Sequence, residues 1–253
     1  MSGPAVAPEN LQLPQYVRDR LGHRQKCVLD QGWGDRVIGP TWWNERLEQE
    51  GFEHRVRLFP HDGGERLTRH DLFELAYPIA GPDPGDGDLL TLLWHVLAWG
   101  TGVSQRGNLK RIRAFIAESD RRRNVSLLKD AVKFARGADV GSAYRALIRQ
   151  GGGQIRGLGP AFFTKFLYFA SEGADGTRCL ILDARVAGSL SGAGWSSLPW
   201  SKWSRYSYNW YAPTYLSYCE LLQRWAAEES ASRGQEVWPD EIERALFDGE
   251  PVE

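Results

Sequence analysis

Residues 154–187, QIRGLGPAFFTKFLYFASEGADGTRCLILDARVA, combine a glycine turn, an apolar helix and a single carboxylate. The turn lies at 157–159, and Pro160 follows it at a natural first helical position, where its missing N–H costs nothing. Two glycines allow backbone N–H groups to approach a phosphate at the start of the helix. The later apolar run 179–182 ends at Asp183, and a carboxylate at the edge of such a run is a candidate for chemistry.

Length and composition describe a globular chain without a strong overall charge. Its 253 residues can form one large domain or two small ones, and the net charge is −1. The cysteines, Cys27, Cys179 and Cys219, have no CxxC or histidine-spaced partner, so we expect reduced thiols and no metal site. We find neither a signal peptide nor an apolar run long enough to span a membrane, which predicts a soluble cytoplasmic protein without a membrane partner.

The spacing of apolar and capping residues predicts a mainly helical protein with a small strand element near the N-terminus. Residues 52–59, FEHRVRLF, alternate like a strand, and Thr68 with Asp71 forms a capping-box pattern for the next helix. Further helices are predicted at 42–49, 89–99, 105–117, 124–136, 140–150, 160–170, 212–227 and 239–247. We assign 1–40 to a partly disordered N-terminal extension and 41–253 to one domain, with a core at about 85–230.

These motifs together resemble the helix–hairpin–helix DNA glycosylase superfamily, and in particular its bacterial branch with the 8-oxoguanine DNA glycosylase fold, which includes antiphage DNA glycosylases. In the superfamily, a Leu-Pro-Gly-Val-Gly hairpin grips a DNA phosphate and a Val-Asp-x-His-Val segment supplies the catalytic aspartate. The corresponding segments here read IRGLG at 155–159 and LDARV at 182–186. Residues 89–112, LLTLLWHVLAWGTGVSQRGNLKRI, resemble the superfamily's helix–Ser-Gln–helix segment, in which the turn between the two helices faces the DNA. The resemblance implies a mainly α helix–hairpin–helix glycosylase bundle with a small N-terminal α/β addition.

The resemblance also implies roles for the matched positions. The expected contacts to DNA phosphates come from Gly157, Gly159, Ala161, Arg106 and Lys110. A monovalent cation can assist at the hairpin, and no other cofactor is expected. In the turn between the two upstream helices, Gln105 or Arg106 would fill the gap that a flipped base leaves in the duplex.

One position departs from the superfamily pattern. Bifunctional members carry a lysine two residues after the second hairpin glycine, where its amine attacks the sugar, but this chain has Ala161 there. Lys165 lies one turn later on the same helical face and can substitute for it. The alternative is an exposed or phosphate-facing lysine, and the default expectation is a monofunctional enzyme.

Asp183 suits the cleavage of an N-glycosidic bond. The reaction passes through an oxocarbenium-like sugar, and a fixed carboxylate in a dry site stabilises that positive charge or orients the attacking water. The alternative is an aspartate that only caps the short helix after it. The two roles are compatible.

Positive charge is concentrated in one part of the chain. Residues 106–136 contain ten Lys or Arg against three Asp or Glu, within a chain of net charge −1. Such a segment suits phosphate contacts. A solvated helix face is the alternative interpretation.

Aromatic residues are dense in 195–218, WSSLPWSKWSRYSYNWYAPTYLSY. Rings of this kind can stack on an extruded base and read its polar edge, or they can fill the core between the last helices. The predicted base pocket consists of Trp99, Phe163, Trp203, Trp210, Tyr211 and Tyr215.

The sequence therefore predicts a monomeric, monofunctional DNA glycosylase that acts on double-stranded DNA, flips a modified base and leaves an abasic site. The absence of a lysine at Ala161 and the aromatic segment favour a bulky base, such as glucosylated hydroxymethylcytosine in phage DNA, and hence antiviral defence. Two alternatives stay open. One is an 8-oxoguanine DNA glycosylase/lyase of base excision repair, and the other is a non-catalytic DNA-binding module.

Overall fold

The computed structural model describes residues 10–172, 176, 178–195 and 210–250, and the chain is mainly helical in these ranges. The helices are α1 Gln15–Arg18, α2 Asp35–Ile38, α3 Pro40–Gln49, α4 Arg69–Ala76, α5 Asp86–Thr101, α6 Asn108–Arg113, α7 Glu118–Arg136, α8 Val140–Ala146, α9 Pro160–Ala170, α10 Ala184–Gly192, α11 Ala212–Arg233 and α12 Pro239–Asp248. The strands are β1 Gly32–Trp33, β2 Phe59–His61 and β3 Gly64–Thr68. Short helical turns occupy Gln25–Leu29, Tyr77–Ala80, Gly102–Ser104 and Arg149–Gly151. The predicted mainly α fold with a small N-terminal α/β addition is confirmed.

The three strands form an antiparallel sheet in which β3 lies between β1 and β2. Gly32 in β1 faces Thr68 in β3, and a Cβ at Gly32 would collide with the backbone of Leu67. The backbone N–H of Arg69 donates to the carbonyl oxygen of Gln31 at 2.9 Å. The sheet therefore connects the N-terminal part of the chain directly to the start of α4.

The strand predicted at 52–59 is wrong, because residues 52–58 are irregular and only the last position belongs to β2. The backbone here bonds to side chains instead of to a neighbouring strand. The N–H of Val56 donates to Asn44 Oδ1 at 2.7 Å, and Asn44 Nδ2 donates to the Val56 carbonyl at 3.0 Å. The next N–H along the chain donates to Nε2 of His95 in α5 at 3.2 Å. Burial lowers the pKa of His95 to about 4, which keeps this acceptor neutral.

Several predicted helix boundaries are also corrected. α5 begins at Asp86 and α7 at Glu118, each several residues earlier than predicted, and both helices have acidic residues in the first turn, where the helix dipole favours them. The helix predicted at 105–117 is only the six residues of α6. Gln105 (φ 48°) and Gly107 (φ 79°) adopt left-handed backbone, which cannot continue a right-handed helix. The predicted capping box of α4 is confirmed. α8 ends at Ala146, earlier than the predicted end at residue 150. α11 continues to Arg233, past its own predicted end at residue 227.

The apolar helix α5 lies in the core and packs against α4 and α9, while α12 packs against α10 and α11. The first described residues also belong to the core: Leu11 is buried, and its carbonyl oxygen accepts a hydrogen bond from Trp225 Nε1 in α11 at 3.1 Å. The division of the chain at residue 40 into an extension and a domain stays a prediction. Among the helices of the described ranges, none has the length and apolarity needed to cross a membrane.

The run 179–182 is buried and belongs to no helix and to no strand of the sheet. Buried backbone N–H and C=O groups need partners, and here side chains supply them. The Tyr215 hydroxyl accepts from the N–H of Leu180 at 3.1 Å and donates to the carbonyl oxygen of the same residue at 2.7 Å. One tyrosine of α11 therefore replaces a neighbouring strand at this point.

Two more side chains support the same run. The Tyr218 hydroxyl donates to the Ile181 carbonyl at 2.6 Å. Thr164 Oγ1 in α9 accepts from the N–H of Leu182 at 3.0 Å. Helices α9 and α11 thus fix the backbone that leads into Asp183.

The Tyr215→Phe substitution tests this support. It leaves both backbone groups of Leu180 without their partner in a dry core, so we expect the free energy of unfolding to fall by about 1–3 kcal/mol. For a chain of this size, each kcal/mol lowers Tm by roughly 2–4 °C. Tyr211→Phe is the control, because Tyr211 is 54% exposed. Thermal unfolding measures both variants, and equal Tm values would contradict the assignment.

Candidate active site

Asp183 is the N-cap residue of α10, and its two carboxylate oxygens have different surroundings. Oδ1 accepts from the backbone N–H groups of Arg185 (3.0 Å) and Val186 (3.2 Å), which fixes the side chain. Oδ2 lies 3.7 Å from Lys165 Nζ. The predicted capping role is confirmed, and it leaves one carboxylate oxygen directed at the amine.

Lys165 extends from α9 to the same place and is 7% exposed, so the exposed lysine that the sequence allowed is excluded. Its Nζ donates to the carbonyl oxygen of Ala161 at 2.8 Å. The side chain passes close to α5 at Gly100, where a Cβ would lie 2.9 Å from Lys165 Cδ. Burial lowers the pKa of Lys165, and the charge of Asp183 offsets part of this shift. A lysine with a lowered pKa has more of the neutral amine, which is the nucleophilic form.

Asp183 and Lys165 line a groove of about 370 Å³. Its other walls come from β1 and the residues next to it, from the end of α5 with the turn after it, and from α12. Trp33, Trp99 and Phe247 contribute aromatic rings to the lining. The volume falls within the range of about 300–1,000 Å³ that ligand sites occupy. A second cleft of about 410 Å³ lies between 80–84 and α7 and contains neither Asp183 nor Lys165, so we assign the site to the groove.

A buried ion pair between Arg69 and Glu243 also lines the groove. Arg69 Nη1 lies 2.8 Å from Glu243 Oε2, and the two side chains are 2% and 1% exposed. Arg69 Nε donates to Gln31 Oε1 at 2.7 Å, and the guanidinium lies 5.3 Å from the ring centre of Trp99. Glu243 Oε1 is buried and has no hydrogen-bond partner among the described residues. Burial raises the pKa of Glu243, and the charge of Arg69 opposes this shift.

The sequence did not indicate Arg69 or Glu243 as site residues. The two positions are 174 residues apart, so no local pattern joins them. The one available signal was a glutamate next to core residues in α12, such as Ile242 and Leu246. A charged residue that helical periodicity places in a core needs a partner, and only the fold identifies that partner.

The hairpin at 155–159 leads directly into α9, as the motif predicts. Gly157 has left-handed backbone (φ 83°), and the N–H of Leu158 donates to the Ile155 carbonyl at 3.1 Å. A Cβ at Gly159 would meet no atom within 4 Å, so the start of α9 is open. The first N–H groups of a helix lack partners within it and favour an anion there. Phosphate binding by the amides of the hairpin and α9, with or without a monovalent cation, stays a prediction.

Arg111 joins the hairpin to the turn between α5 and α6. Its Nε donates to the Gly157 carbonyl at 2.9 Å, and its Nη1 donates to the Arg106 carbonyl at 3.2 Å. The guanidinium lies 3.7 Å from the ring centre of Phe162. The two loops that the sequence analysis predicts to contact DNA are therefore adjacent, and both accept hydrogen bonds from the guanidinium group of Arg111.

Of the two residues predicted to enter the duplex, Gln105 does not extend into solvent. Its Nε2 donates to the Ile38 carbonyl at 3.4 Å and would lie 2.8 Å from a Cβ at Gly39. The side chain is therefore packed against the end of α2. Arg106 and Lys110 are exposed, and Lys110 runs beside the hairpin.

Several side chains of the basic run 106–136 form ion pairs or hydrogen bonds within the protein. Arg113 pairs with Glu50, and Lys129 pairs with two aspartates, Asp83 and Asp86. Arg123 Nη2 donates to the Gly152 carbonyl at 3.0 Å, close to the hairpin in the chain. Part of the run is thus engaged in contacts within the protein, and phosphate binding by the remaining side chains stays a prediction.

Among the described members of the predicted base pocket, only Trp99 lines the groove. Three others are core residues, which corrects the prediction, because buried rings cannot stack on a base: Phe163, Trp210 and Tyr215. Tyr211 is exposed at the start of α11 and does not line the groove. Trp203 lies outside the described residues. Within the described ranges, no three His, Cys, Asp or Glu side chains come together as a metal site would require.

A comparison with known families finds a match that covers most of the chain. Residues 31–247, well over half of the chain, match the family described as "Putative 8-oxoguanine DNA glycosylase OGG-like protein". No curated protein and no solved structure matches the chain. The matched range contains the hairpin, Lys165, Asp183 and the buried pair of Arg69 and Glu243. The chain therefore belongs to the 8-oxoguanine DNA glycosylase OGG-like family.

Proposed function

We propose that this protein is a DNA glycosylase that flips a modified base out of double-stranded DNA and hydrolyses its N-glycosidic bond. The observation that carries the proposal is the meeting of Asp183 and Lys165 in a groove, 3.7 Å apart and close to the open start of α9. Membership of the family supports glycosylase activity. The groove contains a carboxylate held in place by two backbone N–H groups, which suits the stabilisation of charge in this bond cleavage.

Asp183 is the catalytic residue of the proposed reaction. The bond between the sugar carbon and the base breaks, and the base leaves with the electron pair. Water adds to the same carbon and gives up a proton, and the base takes one up. Oδ2 of Asp183 stabilises the positive charge that develops on the sugar or accepts the proton of the water. Oδ1 is already held by two backbone N–H groups, so the carboxylate does not need to reorganise.

The flipped base would be held by the walls of the groove. Trp33 is 38% exposed and offers a ring for stacking. The ring of Phe247 already packs against the guanidinium groups of Arg185 and Arg244, 4.4 and 5.1 Å from its centre. Glu243 Oε1 is a buried acceptor without a partner among the described residues, and a base N–H directed at it would satisfy it. These residues take the place of the core aromatics that the sequence suggested.

The DNA backbone would be bound beside the groove. The open start of α9 suits a phosphate on the amides of Gly157, Gly159 and Ala161, and the exposed Arg106 and Lys110 lie near it. Contacts of this kind position the duplex without reading its sequence. They also make binding depend on salt concentration.

For the substrate, we favour a bulky modified base such as glucosylated hydroxymethylcytosine of phage DNA, and hence a role in antiviral defence. Ala161 in place of the superfamily lysine supports this choice over 8-oxoguanine. The purified protein would be incubated with unmodified, hydroxymethylated, glucosylated and 8-oxoguanine-containing duplexes, and abasic sites scored with and without alkali. Strand breaks that need alkali, in glucosylated DNA alone, are expected. Cleavage of the 8-oxoguanine duplex alone would transfer the assignment to base excision repair.

A specific observation favours a second candidate, a glycosylase with lyase activity. Lys165 is buried beside Asp183, and burial lowers its pKa. Its neutral amine could attack the sugar carbon as the base leaves, and loss of a proton with opening of the sugar ring would give an imine. Lys165 would then serve in place of the lysine that is missing at Ala161.

The Asp183→Asn substitution tests the catalytic assignment. Asparagine keeps the N-cap through its side-chain oxygen, so the fold and DNA binding are expected to persist. Turnover should fall by about 10²–10³-fold, the loss typical when one fixed electrostatic group is removed from an active site. Single-turnover rates and DNA affinity at constant salt measure the two effects. Unchanged biological activity of the variant would instead support the non-catalytic DNA-binding module.

Reduction with borohydride tests the second candidate. An imine on Lys165 would be reduced to a permanent link between protein and DNA, and Lys165→Gln should abolish this product. Since the pKa of Lys165 is lowered, trapping should persist at a pH where ordinary lysines are fully protonated. Lys110→Gln is the control, because this exposed lysine should affect salt-dependent affinity and not trapping. If the wild type yields no trapped product on a DNA that it deglycosylates, hydrolysis is the reaction.

A further inference from the structure

Val103 presents an apolar side chain at the rim of the groove. It lies in the turn Gly102–Ser104, is 68% exposed, and lines the groove together with its neighbours. Single exposed apolar residues are ordinary on protein surfaces. This one, however, lines the groove that holds Asp183 and precedes the exposed Arg106 by three residues in the chain.

The turn that carries Val103 is held at its base. Thr101 Oγ1 donates to the Leu97 carbonyl at 2.8 Å and accepts from Asn108 Nδ2 at 3.0 Å, which connects the end of α5 to the start of α6. Gly102, the C-cap residue of α5, has a positive φ of 57°, so the helix ends directly before Val103. The side chain is therefore presented from a fixed backbone at the junction of two helices.

The other side chains of the turn are less suited to enter a base stack. Gln105 is packed against the end of α2, as described above. Ser104 is exposed but short and polar. Arg106 is exposed and cationic, which suits a phosphate more than the apolar space between two base pairs.

A flipped base leaves a gap bounded by the apolar faces of the neighbouring base pairs. Proteins that unstack DNA commonly insert an apolar side chain at such a step, because it restores contact with the exposed faces. A side chain with this role has to stand at the edge of the pocket that receives the base. It also has to lie on the face that binds phosphates, and the contacts of Arg111 to Gly157 and Arg106 place the turn beside the hairpin.

We propose that Val103 is the wedge that enters the duplex next to the flipped base, while Arg106 contacts the backbone. This inference rests on the proposed function and deepens it. It assigns the gap-filling role to an apolar residue in place of Gln105. It also implies that a missing base is enough for recognition, whatever base the enzyme removes.

The test is independent of the substrate and uses a duplex that contains a tetrahydrofuran abasic-site analogue. The wild type is expected to bind this duplex at least about tenfold more tightly than the matched intact duplex at the same salt concentration, which corresponds to about 1.4 kcal/mol. Val103→Ala shortens the wedge, and Val103→Thr keeps its shape but replaces one methyl group with a hydroxyl group. Both should lose most of this preference and keep the affinity for intact DNA. Tyr77→Ala is the control, because Tyr77 is 81% exposed and does not line the groove.

The outcomes separate this inference from the function on which it rests. If the wild type prefers the abasic duplex and both Val103 variants keep that preference, the wedge assignment is overturned while the glycosylase proposal stands. If Arg106→Ala alone loses the preference, the role belongs to Arg106. A wild type that binds the two duplexes equally would overturn the wedge and count against the glycosylase. Thermal unfolding confirms that the variants are folded, as expected for changes at an exposed position.

Discussion

The run 179–182 imposes the constraint on which the candidate site depends, since a buried backbone outside any helix or sheet must still find hydrogen-bond partners. Thr164 from α9 and Tyr215 and Tyr218 from α11 provide them. The same contacts decide which helices meet at this point and in what register. Asp183 is the next residue in the chain. Its position is therefore fixed by three side chains that have no part in the proposed chemistry.

Around the groove, two carboxylates share one pattern of bonding. Asp183 uses one oxygen to cap α10 and turns the other toward Lys165. Glu243 uses one oxygen for Arg69, and its second oxygen has no partner among the described residues. Each carboxylate is therefore held in place through one oxygen, while its other oxygen can still interact with a ligand. Buried charges of this kind cost stability, and their presence in a groove indicates a function more than a need for structural support.

The sequence predicted best what depends on neighbouring residues. The capping box of α4, the start of α9 at Pro160 and the cap of α10 at Asp183 all arise within a few positions. The strand predicted at 52–59 was wrong because the side chain of Asn44 in α3 forms the hydrogen bonds to the Val56 backbone that a neighbouring strand would have formed. The ion pair of Arg69 with Glu243 joins distant parts of the chain and leaves no local signal, and aromatic residues such as Tyr215 fit a core as well as a pocket until the packing is known.

Arg111 has a mechanical consequence for any duplex that docks on this face. Because one guanidinium bonds to the carbonyls of both Gly157 and Arg106, the hairpin and the turn cannot easily shift relative to each other. The protein then acts as a stiff template with a fixed spacing between its two contact points. A double helix of different shape has to bend or unwind to contact both points. The nucleic acid therefore deforms instead of the protein, and base-pair steps with a low deformation energy would bind first.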